Sequence, residues 1–146
     1  MYSASYLCTK EFGLSVNKTY YAVCRGSFKE NSGEIIAPIC RCENSTIKRT
    51  VSPKGKYAHT VYEVILEKNN ISLVKVTPQT GRTHQIRVHM AHIGHPLVND
   101  FLYDENFDGV NKFLLHCKTM EFVHPCSKTK LNIDSVLPDE YNTIFD

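Results

Sequence analysis

Apolar and polar positions alternate with period two over several stretches of this chain, the pattern of half-buried strands. Residues 18–25 read K-T-Y-Y-A-V-C-R and are rich in aromatic and β-branched types that favour a pleated surface. Residues 33–39 form a second short run after an Asn-Ser-Gly turn. Residues 57–67 alternate through Val61, Val64 and Leu66; Asn69-Asn70 then turns the chain into residues 71–76, so a hairpin is predicted. Residues 113–122 and 130–136 read as two more strands on either side of a His-Pro-Cys-Ser-Lys-Thr turn. Residues 2–13 mix small, apolar and charged types and read as the remnant of a helix.

Between residues 80 and 96 the period changes, in T-G-R-T-H-Q-I-R-V-H-M-A-H-I-G-H-P. At about 100° per residue, Ile86, Met90 and Ile93 share one stripe, which predicts a short helix docked on the sheet. Thr83 is the expected N-cap, Gly94 suits the left-handed position after the helix, and Pro96 stops its continuation. His84, Arg87 and Ala91 fall on a neighbouring face, where the small Ala91 leaves room for a substrate or a partner side chain. Arg87 sits at the edge of the stripe and there needs an anionic partner. Arg82 precedes the helix N-terminus, a favourable place for phosphate. Together these elements predict one α+β domain over residues 1–146, with a mixed or mostly antiparallel sheet and few helices.

Composition narrows the function classes only a little. The 42% hydrophobic and 22% charged content is ordinary for a globular domain, and a net charge of +2 does not by itself imply a nucleic-acid partner. Local charge says more: Lys48, Arg49, Lys54 and Lys56 cluster around a Ser-Pro-Lys-Gly turn and could lie along a phosphate backbone. A solvated lysine-rich hairpin is the alternative. Cys24 and Cys117 sit in apolar strand-like runs as small hydrophobes would, and Cys40-Arg41-Cys42 is a lone C-x-C, a poor zinc or redox motif. The spacing of His84, His89, His92 and His95 lacks the H-E-x-x-H pattern, so no metal is expected. No apolar run is long enough to cross a membrane as a helix, and a reducing, cytoplasmic setting is expected.

The central block, T-G-R-T-H-Q-I-R-V-H followed by G-H-P, resembles the signature of the RluA-type RNA pseudouridine synthases. The resemblance extends outward. Lys18-Thr19-Tyr20 with Ala22 and Gly26 is similar to the family's K-x-Y strand. Gly94 to Val98, Asp100 and Tyr103 are similar to its G-H-P stretch, with Asn99 in place of the usual glycine. Leu115-His116, Phe122-x-His124-Pro125 and Leu137-Pro138 resemble its last strands and ending. Asparagine tolerates left-handed backbone best among non-glycine residues, so the turn at Asn99 is expected to survive.

That resemblance implies a sheet-rich catalytic fold that isomerises uridine to pseudouridine in ribosomal or transfer RNA, without metal or organic cofactor. The target must leave its stack for the glycosidic carbon to be reached. Tyr20 is implied to stack on the flipped uracil and Arg87 to pair with an essential aspartate. Arg82 and His84 are implied to bind phosphate or ribose, with Thr80 and Gln85 also contributing to substrate binding. The family's aspartate lies in an R-L-D loop ahead of the K-x-Y strand, yet the first aspartate here is Asp100. The chain is therefore expected to be a partial, N-terminally truncated catalytic domain, monomeric and inactive alone. A non-catalytic RNA-binding protein that keeps the fold is the alternative. In that case another acid, Glu63 or Glu121, would have become the partner of Arg87.

Overall fold

The apolar alternation of the sequence becomes a six-stranded sheet in a computed structural model that describes residues 16–109 and 112–146. In chain order the elements are β1 (Asn17–Arg25), β2 (Ser32–Ile36), β3 (Ile39–Arg41), β4 (Arg49–Val51), β5 (His59–Lys68) and β6 (Ile71–Pro78). Helix α1 (Gln85–His92), β7 (Leu115–Val123), β8 (Lys130–Asp134) and helix α2 (Asp139–Phe145) follow. The large sheet runs β2-β5-β6-β1-β7-β8 with every neighbouring pair antiparallel, while β3 and β4 form a separate two-stranded ribbon. The α+β architecture expected from the sequence is thus the one observed. The helix read over residues 2–13 lies outside the described residues.

Helices cover both faces of the sheet centre, which explains why β6 is buried in unbroken runs. On one face Ala22, Cys24, Val74 and Val76 pack against Ile86 and Met90 of α1 and against Leu97. On the other, Val23 and Leu73 pack against Tyr141 of α2, whose hydroxyl donates to the Tyr21 carbonyl at 3.0 Å. The β5–β6 hairpin closes through Asn69 and Asn70, both left-handed, as a two-residue primed turn requires. Two elements go beyond the sequence reading. The run over 33–39 is broken at Ala37-Pro38 into β2 and β3, and β3 pairs with an unanticipated β4. Helix α2 was also unanticipated, although Pro138 followed by Asp139 and Glu140 is an ordinary helix start, with acids at the positive end of the dipole.

The ribbon is held tightly to the turn that follows it. Ile39 and Lys56 exchange backbone hydrogen bonds at 2.9 Å, and a Cβ on Gly55 would meet Ile39 backbone at 2.6 Å. Only glycine fits there.

Candidate active site

Helix α1 is enclosed rather than half-exposed: every residue from Gln85 to Met90 is buried. Ile86 and Met90 face the sheet as the stripe required, and Ile93 packs at its margin. Val88 faces the other way, onto Ile39 and Ala58 beside the ribbon. The C-terminus matches expectation, with Gly94 left-handed and the amides of Gly94 and His95 bonded to the carbonyls of Ala91 and Met90. The N-terminus does not. Thr83 is exposed, and the cap is His84, at φ 56° and without a side-chain cap bond. Gln85 does the capping work from inside the helix, because its Oε1 accepts from the Arg82 amide at 2.9 Å.

Thr80 and Gln85 tie this entry to the sheet. The Thr80 hydroxyl donates to Gln85 Oε1 at 2.8 Å and accepts from the His59 amide at 3.0 Å. Gln85 Nε2 donates to the His59 carbonyl and to Thr60 Oγ1 at 2.9 Å each. Both residues line the cavity described below, yet their polar atoms are engaged within the protein, so their contribution is to hold the loop that carries Arg82.

Arg87 has its anion, and it is neither Glu63 nor Glu121. Its Nε and Nη2 donate to the two carboxylate oxygens of Asp100 at 2.7 and 2.6 Å, with Asp100 fully buried and Arg87 only 8% exposed. This bidentate pair is walled by rings, with the guanidinium 4.6 Å from the Phe113 centroid and 5.1 Å from that of Tyr103. Glu63 instead pairs with Lys75 and Glu121 with Lys130. The expectation that Arg87 is partly unpaired is therefore corrected. Burial of both charges is tolerable because every strong donor on one meets an acceptor on the other.

Next to this pair lies a cavity of about 310 Å³ lined by Tyr20, Ile86, Phe113 and Leu115, with Arg82, His84 and Arg87 at its polar side. A register shift between Thr19 and Tyr20 in the β1–β7 ladder sits beside it, a common device for re-aiming a side chain. No aspartate or glutamate lines this cavity among the described residues. Gly81 and Arg82 are shared with a second cavity of about 430 Å³, which adds Arg41, Arg49, Lys54 and Lys56 from the ribbon and its turn. Most of the basic cluster read from the sequence thus converges with Arg82 on one concave surface. Lys48 does not, since its ammonium stands 5.8 Å over the Tyr103 ring. Arg41 and Tyr103 were missed as site residues.

Tyr103 joins the two cavities. Its hydroxyl accepts from the Arg49 amide at 2.9 Å and lies 3.0 Å from His84 Nδ1. With one acceptor site used by Arg49, the phenol proton points to Nδ1, which fixes His84 as the neutral tautomer carrying its proton on Nε2. Electrostatics agree: burial, then the nearby Arg87 and Arg49 cations, pull the His84 pKa below its ordinary 6.5, and burial pushes that of Tyr103 up. The other histidines of the block are structural. His89 bridges Thr60 and the Ala37 carbonyl, and His95 stacks on Phe28 while bonding the Arg25 carbonyl.

Comparison with known proteins agrees with this geometry. Residues 3–92 match the family described as RNA pseudouridylate synthase. The chain is 35% identical over 130 residues to the uncharacterized RNA pseudouridine synthase YjbO of Bacillus subtilis, covering 89% of this chain and 46% of that protein. It is 38% identical over 130 residues to the ribosomal large subunit pseudouridine synthase C of Vibrio cholerae, covering 84% and 41%. Among solved structures, human RNA pseudouridylate synthase domain containing 1 superposes with a TM-score of 0.80 at 27% identity, covering 98% of this chain and 62% of that one. The chain thus spans under half the length of these two curated relatives. Sequence and fold together place the chain in the RNA pseudouridylate synthase family, in the RluA-type group that its central block resembles.

Proposed function

We propose that this chain supplies the uridine-holding and RNA-gripping part of a pseudouridine synthase active site, as a partial catalytic domain acting in the cytoplasm. The observation that carries this reading is the junction of two cavities at Gly81 and Arg82, one aromatic and base-sized, the other ringed by cations. A flipped uracil enters the first, with Tyr20 against its face and the neutral His84 offering an Nε2 proton to ribose or phosphate. Flanking phosphates lie along Arg82, Arg41, Arg49, Lys54 and Lys56. The substrate is RNA, ribosomal or transfer. Arg87, in this reading, holds the local charge balance through Asp100 and orients the aspartate that the family's chemistry needs. That acid comes from outside the described residues.

Two measurements test the proposal. Alone, the chain should bind a uridine-containing RNA hairpin and release no tritium from 5-tritiated uridine in bulk RNA. Fused behind the R-L-D-bearing half of a relative, it should release tritium, and Arg82→Glu should abolish both binding and release. A chain that binds RNA but never supports turnover in such a fusion is a non-catalytic binder. A chain that does not bind RNA at all refutes the reading.

A further inference from the structure

Strand β8 closes the large sheet on one side, and all five of its residues are exposed. Such an edge presents unpaired backbone donors and acceptors, and proteins usually defend it. Here the direction of those groups can be derived. The Ser135 amide bonds the Lys118 carbonyl, and the His124 amide bonds the Thr129 carbonyl. Because inward and outward groups alternate along an antiparallel strand, the same parity turns residues 131 and 133 toward β7. Lys130, Asn132 and Asp134 therefore direct their amides and carbonyls away from the sheet.

The strand reads Lys130-Leu131-Asn132-Ile133-Asp134, and it is complementary to itself in reverse. We propose that β8 is a homodimer interface, joining two copies of this chain edge to edge about a two-fold axis at Asn132. In that register Lys130 faces Asp134 of the other copy, twice, and Asn132 faces Asn132. These are the residues whose backbone groups point outward, so all three pairs are of the closely hydrogen-bonded kind. Leu131 faces Ile133 at the intervening positions, where side chains approach most closely, and both are exposed, at 38% and 53%. The end charges stay open to a second partner: Asp134 bonds Lys118 yet is 61% exposed, and Lys130 lies 3.6 Å from Glu121 yet is 72% exposed.

The opposite edge offers a control within the same molecule. Strand β2 reads Ser-Gly-Glu-Ile-Ile, and a two-fold through its centre would set Glu34 directly against Glu34 of the other copy. Like charges so placed repel. One edge is self-complementary and the other self-opposing, so association stops at a closed pair rather than running on as a filament. The sheet becomes continuous across two chains, in place of the monomer expected from the sequence. This inference is independent of the RNA reading.

Sedimentation equilibrium from low micromolar to near-millimolar protein tests it. The weight-average mass should rise from 16.7 kDa towards twice that value. Lys130→Asp and Asp134→Lys each oppose like charges at both ends, and each should weaken association by at least about tenfold. Mixed together, the two variants present opposite charges to each other and should associate again, which also verifies that each is folded. The amides of Lys130, Asn132 and Asp134 should gain protection from hydrogen exchange only as concentration rises. A wild type that stays monomeric throughout overturns the proposal. So does a dimer insensitive to both reversals, because it uses another surface. Protection of those amides in dilute, monomeric protein would mean that another segment of the chain already covers the edge, and would equally overturn it.

Discussion

Arg87 and Asp100 form a buried ion pair whose members depend on each other. Arg87→Leu strands a fully buried carboxylate, and we expect it to lower stability by about 3–5 kcal/mol in urea melts. The double variant Arg87→Leu/Asp100→Leu should recover most of that loss, because two packed apolar side chains replace two desolvated charges. An Arg87→Leu protein as stable as wild type would show that the pair contributes nothing. The need for an anion was legible from the position of Arg87 beside an apolar stripe. Its identity was not, because Asp100 lies past the Gly94 turn and its approach depends on the path of the loop. The histidines carry a second residue-scale expectation. Burial lowers the pKa of His84 and His89, so the folded state stays neutral where the unfolded chain begins to take up protons near 6.5. Stability should therefore be level above about pH 7 and decline as pH falls below that point, since the unfolded state then binds more protons. Urea midpoints that stay flat from about pH 7 down to 5.5 would contradict the assignment.

At the scale of elements, the ribbon of β3 and β4 is the part on which the cationic surface depends. It is pinned to the helix by a single phenol, whose hydroxyl meets both the Arg49 amide and His84. Tyr103→Phe keeps the ring against Arg87 but removes that hydroxyl, and should cost about 1–3 kcal/mol by leaving both groups unsatisfied. Hydrogen exchange at the Arg49 amide should quicken selectively; exchange at the wild-type rate would detach the ribbon from this anchor. The longer strands were legible because aromatic and β-branched residues recur with the right period in 18–25 and 57–76. The three-residue strands of the ribbon were not, since so short a run has no measurable period. Helix α2 was hidden for a related reason, being barely two turns long. Its start signal was present but its length gave no stripe.

For the whole molecule, a net charge of +2 understates the electrostatics, because the cations are gathered on one concave surface while the acids are spread elsewhere or paired internally. RNA binding should accordingly depend on salt, with a log–log slope of about −2 to −4 for some three to five phosphate contacts. Fluorescence anisotropy across a salt series would measure it, and affinity that is flat between low and moderate salt would contradict the proposed surface. The topology itself was only partly legible. Antiparallel pairing of the β5–β6 hairpin follows from its turn, but nothing local indicates that β1, first among the described strands, sits between β6 and β7.

That central placement of β1 carries a kinetic consequence. Asn69 and Asn70 already adopt the left-handed geometry that the β5–β6 turn needs, so this hairpin can close locally, on the order of 1–10 μs. The β1–β7 ladder must instead bring Tyr20 against Cys117, and the intervening loop has to be closed before that contact gives any return. The hairpin is thus the natural nucleus and β7 a late arrival. Asn70→Ala, which penalises the turn, should mainly slow refolding in stopped-flow experiments, whereas Leu115→Ala in β7 should mainly speed unfolding. If Leu115→Ala retards refolding as strongly as Asn70→Ala does, the long-range ladder forms before the barrier is crossed, and the molecule assembles from its ends rather than from its turn.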